Sequence, residues 1–90
     1  MKMQNGFVTD FQKSVVIDGI ESEVKSFDMF RQTALVGIPT CKIGTTVLLE
    51  DTAVYDVRSN KVLFRGNYNK AWEVFRVTPQ VLTLEEVLSW

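Results

Sequence analysis

An Asp-Gly dipeptide at residues 18–19 constrains the fold of this chain more than any other feature of its sequence. It lies between two segments of alternating apolar and polar residues, and Asp-Gly in that setting is a strong signal for a two-residue β-hairpin turn. Pairing outward from the turn sets Ile17 opposite Ile20 and gives the hairpin one mostly apolar face. The sequence therefore predicts an antiparallel hairpin over residues 12–17 and 20–26.

A second hairpin is predicted later in the chain. Residues 52–58 (TAVYDVR) alternate between apolar and polar, Ser59-Asn60 favours a chain reversal, and residues 61–65 (KVLFR) resume the strand. A separate strand is predicted over residues 45–50 from its β-branched content, with a turn at Glu50-Asp51.

Pairing about Ser59-Asn60 predicts which side chains of this hairpin face the core. It sets Val57 opposite Val62 and Tyr55 opposite Phe64, all four on the inner face. Val54 and the charged side chains of the two strands are then expected on the outer face.

Helices are predicted in three places. Residues 27–36 carry an apolar stripe with Ser26 or Asp28 as the cap, although a buried strand from Thr33 to Ile38 is the competing interpretation. Near the C-terminus, Thr83 and Glu86 form a capping box that predicts a short helix.

The clearest helical stripe lies between Asn67 and Thr78-Pro79. Its apolar residues fall at helical spacing, either Asn67 or Asn69 can cap it, and Pro79 ends it. Trp72 and Phe75 are expected in the core, whereas Tyr68 is expected to be partly exposed.

Together these elements predict an α+β fold in a single domain over residues 1–90. The expected architecture is an antiparallel sheet of about five strands, built from two hairpins, with two or three short helices on one face.

The composition excludes most catalytic chemistry. There is no histidine, and one thiol, that of Cys41, can close no intrachain disulfide and can build no cysteine-rich zinc site. No phosphate-binding glycine motif and no long apolar segment is present. We therefore expect a cytoplasmic protein that is not an enzyme, that holds no cofactor or metal and that does not contact membranes, with Cys41 as a small buried hydrophobe.

Charge is segregated along the chain. Residues 57–78 contain five cations and one anion in a protein whose net charge is −1. The predicted pairing brings Arg58, Lys61 and Arg65 onto one outer face beside Tyr68, and such a face suits an acidic protein surface or phosphates. A solvated strand face is the plain alternative, because Lys and Arg also discourage edge pairing.

The C-terminal residues form a second candidate contact. Leu88 and Trp90 are apolar residues of a terminal helix that is too short to be stable alone, so it must dock on its own domain or on another chain. A terminal tryptophan left uncovered would anchor an interface, and a homodimer seam is one form that interface could take.

The segment Val54–Trp72 (VYDVRSNKVLFRGNYNKAW) resembles a module that recurs in small phage-encoded and mobile-element proteins: strand, turn, strand, glycine, then a helix that opens with an aromatic residue and Ala-Trp. The resemblance implies an accessory protein that inhibits or regulates one protein of the host, such as a defence complex. The leading hypothesis is thus a non-enzymatic protein-binding module with a host-protein partner. The alternatives are a nucleic-acid-binding accessory protein that uses the basic hairpin face, and a self-assembling virion or structural component.

Overall fold

Strands make up most of the regular secondary structure. The computed structural model of the protein describes residues 1–90, with seven strands followed by two helices. The strands are β1 (Lys2–Gln4), β2 (Phe7–Asp10), β3 (Ser14–Ile17), β4 (Ile20–Asp28), β5 (Thr33–Ile43), β6 (Thr46–Asp56) and β7 (Lys61–Gly66). The helices are α1 (Tyr68–Val77) and α2 (Leu84–Leu88), and neither is long and apolar enough to cross a membrane.

The main sheet has five strands, as predicted, in the order β3-β4-β5-β6-β7 with every neighbouring pair antiparallel. The Asp18-Gly19 hairpin is confirmed: both residues have the positive φ of a type I′ turn, 52° and 78°, and Ile17 pairs with Ile20. Strands β1 and β2 form a separate hairpin around Asn5-Gly6, where φ is also positive.

The helix predicted over residues 27–36 is wrong, and the competing buried strand is correct. Strand β4 ends at Asp28, whose carboxylate accepts hydrogen bonds from the backbone N–H groups of Phe30 and Arg31, and β5 starts at Thr33. Asp28 thus caps a turn rather than a helix. Residues 33–38 are buried on both faces of the sheet, and such a strand has no period-2 alternation to distinguish it from a helix.

The turn predicted at Glu50-Asp51 is also wrong. Strand β6 runs without interruption from Thr46 to Asp56, and the reversal occurs earlier, at Gly44, where φ is 60°. Strands β5 and β6 consequently form one long hairpin. Cys41, predicted to be buried, lies exposed in the outer part of that hairpin.

The central strands bury both faces of the sheet. One face packs against β2 and the other against α1, and each cluster draws on β5 and β6. The β2-side core consists of Val8, Val15, Ile17, Ala34, Val36, Ile38, Ala53, Tyr55 and Val57. The α1-side core consists of Leu35, Val54, Ala71 and Phe75, with Phe64 and Val74 packed against it.

The register of the second hairpin differs from the prediction. Val54 pairs with Phe64 and Tyr55 pairs with Val62, with an irregularity between the two pairs. Val54, expected to point outward, is fully buried beneath α1, and Phe64 belongs to that side rather than to the side of Tyr55. A one-residue slip exchanges the two faces, which is why the turn alone could not assign them.

Helix α1 matches its predicted bounds, and Asn67 is the cap: its side chain accepts a hydrogen bond from the N–H of Lys70 at 2.8 Å. Phe75 is buried as expected and Tyr68 is exposed as expected. Trp72, predicted in the core, is 37% exposed and stacks on Phe75 with ring centroids 5.5 Å apart. The Thr83–Glu86 capping box is present at the start of α2. With the first helix absent, the fold has two helices, at the low end of the expected number.

Candidate functional site

The β5–β6 hairpin places two different surfaces at its opposite ends. At the end that contains Thr33 and Asp56 lies an open groove of about 550 Å³. We call this the groove; it is lined by Arg31, Gln32, Thr33, Asp56, Arg58, Ser59, Leu63, Thr78, Pro79 and Val81. The other end, toward Ile43 and Thr46, projects into solvent.

The two contact sets predicted from sequence, one basic and one apolar, meet at Phe7. The guanidinium of Arg58 lies over the Phe7 ring, 4.5 Å from its centroid. The Trp90 ring stacks on the same phenylalanine, with centroids 6.5 Å apart and planes 21° apart. Trp90 therefore docks on its own chain, and the stack holds Arg58 at the edge of the groove.

Phe7 is the member of this cluster that the sequence did not reveal. It lies far along the chain from both Arg58 and Trp90, and only the packing of β2 against the sheet brings it to them. Nothing in its local sequence sets it apart from an ordinary strand residue.

Most polar side chains of the groove are already bound within the protein. Arg31 forms a salt bridge to Asp28 at 2.8 Å, and its Nε donates to the carbonyl of Thr78 at 2.8 Å. The Asp56 carboxylate accepts hydrogen bonds from the Ser59 hydroxyl at 2.6 Å and from the Arg58 backbone N–H at 3.3 Å.

Arg58 differs from these groups, because its guanidinium forms no salt bridge. It is exposed, as are Leu63 and Val81, the large apolar side chains in the groove wall. The groove thus presents one unpaired cation next to apolar surface.

The remaining predicted contact residues do not all join the groove. Lys61 does lie at this end of the sheet, because it pairs with Asp56 across β6 and β7, and it is exposed. Leu88 is also exposed, on α2, two residues before Trp90.

Arg65 and Tyr68 lie elsewhere. The Nε of Arg65 donates to Asp51 at 2.9 Å, and its Nη1 lies 3.6 Å from Asp18 at the β3–β4 turn, so Arg65 spans the gap between the two edge strands of the curled sheet. Tyr68 stands exposed at the start of α1. The single basic face predicted for Arg58, Lys61 and Arg65 is therefore wrong, since the hairpin register directs Arg65 to the other side.

The projecting end of the β5–β6 hairpin is the second surface, and we call residues 38–51 the arm. Strand β4 pairs with β5 only as far as Gly37, and β7 pairs with β6 only as far as Thr52, so the arm has two strands and two free edges. Every residue from Thr40 to Glu50 is exposed. Four of them are large and apolar: Ile43 (69% exposed), Val47 (43%), Leu48 (51%) and Leu49 (65%).

A salt bridge braces the base of the arm. Lys25 Nζ lies 2.8 Å from Glu50 Oε1, and the pair crosses above Gly37, where a Cβ would come within 2.5 Å of the Lys25 side chain. The hydrogen bond that Lys25 donates to the Glu50 carboxylate raises the pKa of Lys25 above its usual 10.5, against the opposing effect of burial. Glycine at position 37 thus allows the bridge to lie flat across β5.

No group of three or more His, Cys, Asp and Glu side chains is arranged to hold a metal ion. No protein-family model, curated protein or solved structure matches the chain.

Proposed function

We propose that the protein is a non-enzymatic protein-binding module and that the groove is its contact surface. The observation that carries the proposal is the exposed Arg58 guanidinium, fixed on Phe7 without a salt bridge beside apolar groove walls. Arginine and tryptophan dominate the energetic centres of protein interfaces, and here the Phe7 ring holds one of each.

The chemistry of the groove defines the partner. A guanidinium that is held in place loses little entropy on binding and forms bidentate hydrogen bonds with a carboxylate. Leu63 and Val81 supply apolar contacts in the same groove. The partner segment is therefore one that presents an Asp or Glu next to a large apolar side chain.

The resemblance of Val54–Trp72 to phage and mobile-element modules extends the proposal to the identity of the partner. The module then acts as an inhibitor or regulator of a host protein that presents such a segment. Arg58 and Leu63 both lie within the resembling stretch.

A peptide-display selection tests the proposal and does not require the host protein to be identified first. We expect random dodecapeptides selected on the wild-type protein to be enriched in an acidic residue beside a large apolar one. Arg58→Glu should weaken the binding of the selected peptides by about 30-fold or more, because loss of a central interface arginine costs about 2 kcal/mol or more.

Lys70→Glu is the matched control, since it makes the same charge change at an exposed position in the first turn of α1, outside the groove. Peptides that bind the Arg58→Glu and wild-type proteins equally well would contradict the assignment. Affinity that Lys70→Glu reduces as much as Arg58→Glu would show that net charge, rather than the groove, attracts the peptides.

A further inference from the structure

We propose that the arm is a homodimer interface in which the outer edge of β6 pairs with the same edge of a second copy around Leu48. This inference goes beyond the proposed function, because the arm and the groove lie at opposite ends of the β5–β6 hairpin. The proposal for the arm and the proposal for the groove can therefore each be disproved without affecting the other.

The first argument is that the two free edges of the arm differ in their capacity to pair. The β5 edge contains Pro39, which has no N–H to donate. The irregular stretch of the β5–β6 ladder belongs to both strands, between Pro39 and Lys42 on β5 and between Val47 and Glu50 on β6. The β6 edge reads TVLLED from Thr46 to Asp51, with neither proline nor glycine. An exposed apolar edge of this kind pairs with another strand unless something protects it.

The second argument is symmetry, which limits how two β6 edges can meet. A twofold axis perpendicular to an antiparallel sheet leaves corresponding side chains of the two copies on the same face. Residues paired across the seam must also share a face, so they differ by an even number of positions in the sequence. One residue at the centre of the seam therefore lies opposite its own copy. A register in which a residue faces its sequence neighbour would exchange the two faces. The axis must therefore pass beside Val47, Leu48 or Leu49.

The third argument is the length of the free edge, which selects among these three. An axis at Leu49 places Thr46 opposite Thr52 of the second copy, but the outer edge of Thr52 is already occupied by Gly66 of β7. An axis at Val47 leaves Asp51 opposite residue 43, on the far side of the hairpin turn. Only the axis at Leu48 sets residues 46–51 opposite residues 45–50 of the second copy, so that each arm tip stops beside the Gly66 end of β7 in the other copy.

The side chains are complementary in that register. Leu48 faces Leu48 and Val47 faces Leu49, while position 50 lies opposite Thr46. The Glu50 carboxylate itself is held by Lys25 of its own chain, so no carboxylates meet across the seam. Pairing would bring the exposed Val47, Leu48 and Leu49 side chains of the two copies against each other. A second copy thus covers the apolar arm without placing like charges opposite each other.

Site-directed crosslinking tests the register. In a Cys41→Ser background, Leu48→Cys should oxidise to a disulfide-linked dimer, because cross-strand neighbours lie within the Cα separation of about 4.4–6.8 Å that a disulfide requires. Thr46→Cys is the control on the same edge, since the proposed register offsets its two copies by four residues along the strand. Crosslinking of Thr46→Cys as fast as Leu48→Cys, or no crosslinking of Leu48→Cys, would overturn the register.

Sedimentation equilibrium tests the dimer itself on the full, unmodified chain. Wild-type protein should reach twice the 10.3 kDa chain mass, and a mass that stays at one chain through the micromolar range would overturn the proposal. Leu48→Asp should raise the dimer dissociation constant by more than about 100-fold, since it places two carboxylates together at the axis.

Ile43→Asp makes the same chemical change at an exposed position of the arm on β5, away from the proposed edge, and should leave the dimer intact. A dimer that survives Leu48→Asp, or that Ile43→Asp disrupts equally, would show that the β6 edge is not the interface. Circular dichroism of both variants checks that the fold is retained, as expected for exposed positions.

Discussion

At the residue scale, a single buried amide joins the N-terminal hairpin to the main sheet. Gln32 is 1% exposed; its Oε1 accepts from the Val8 N–H at 2.8 Å, and its Nε2 donates to the carbonyls of Val8 at 2.8 Å and Met29 at 2.6 Å. Gln32 also has a positive φ of 54°, unusual for a non-glycine residue. The side chain thus substitutes for a neighbouring strand, because β2 would otherwise leave these backbone groups unpaired.

Gln32→Ala should therefore lower the free energy of unfolding by about 3 kcal/mol. The substitution leaves buried backbone donors and acceptors without partners, and each such group costs about 1–3 kcal/mol when it finds no water. Urea denaturation monitored by tryptophan fluorescence measures the change. Gln12→Ala, at an exposed position, should change stability by no more than about 0.5 kcal/mol, and an equally small loss at Gln32 would contradict this role.

At the element scale, local signals with a specific backbone requirement predicted the structure well. The Asp18-Gly19 turn, the Asn67 cap with the stripe of α1, and the Thr83–Glu86 box all formed where expected. Each depends on neighbours within a few residues, so the information is contained in the local sequence.

Elements that depend on distant contacts were predicted poorly. Residues 33–38 resembled a helix because both of their faces are covered, by segments that lie far away in sequence. The sequence predicts a turn inside the arm at Glu50-Asp51, because two adjacent acidic residues resemble a loop. In the structure Glu50 forms a salt bridge with Lys25 and Asp51 forms one with Arg65, and neither partner is evident from the local sequence. Of the groove residues, the sequence singles out Arg58, and it names Trp90 only as a separate contact. Phe7, which joins the two, depends on tertiary packing alone.

The two asparagines at the start of α1 provide a test at this scale. Asn67→Ala should lower the free energy of unfolding by about 1 kcal/mol, because it removes the acceptor for the Lys70 N–H. Asn69→Ala, two residues into the helix, should be neutral or slightly stabilising, because alanine is the better helix former. Thermal unfolding of both variants distinguishes them, and a larger loss for Asn69→Ala would reverse the assignment of the cap.

At the scale of the whole molecule, the arm makes the protein more elongated than a compact domain with the same number of residues. The principal extents are 47 × 24 × 17 Å and the Cα radius of gyration is 13.9 Å, whereas a compact domain of 90 residues has a radius of about 12 Å. The apolar surface of the arm favours a partner that reduces its exposure to water. Two copies joined through their arms would place the two grooves at the far ends of one elongated particle.

That arrangement has a shape that small-angle X-ray scattering measures directly. Two copies whose centres lie about 30 Å apart have a joint radius of gyration of about 20 Å, whereas a compact dimer of this mass has one of about 16 Å. We expect the larger value for the wild-type protein. We expect a value near that of one chain for Leu48→Asp, with Ile43→Asp matching the wild type. A radius near 16 Å would indicate dimers that meet through their broad faces, with the arms left in solvent, and so would contradict arm pairing even if the mass were that of a dimer.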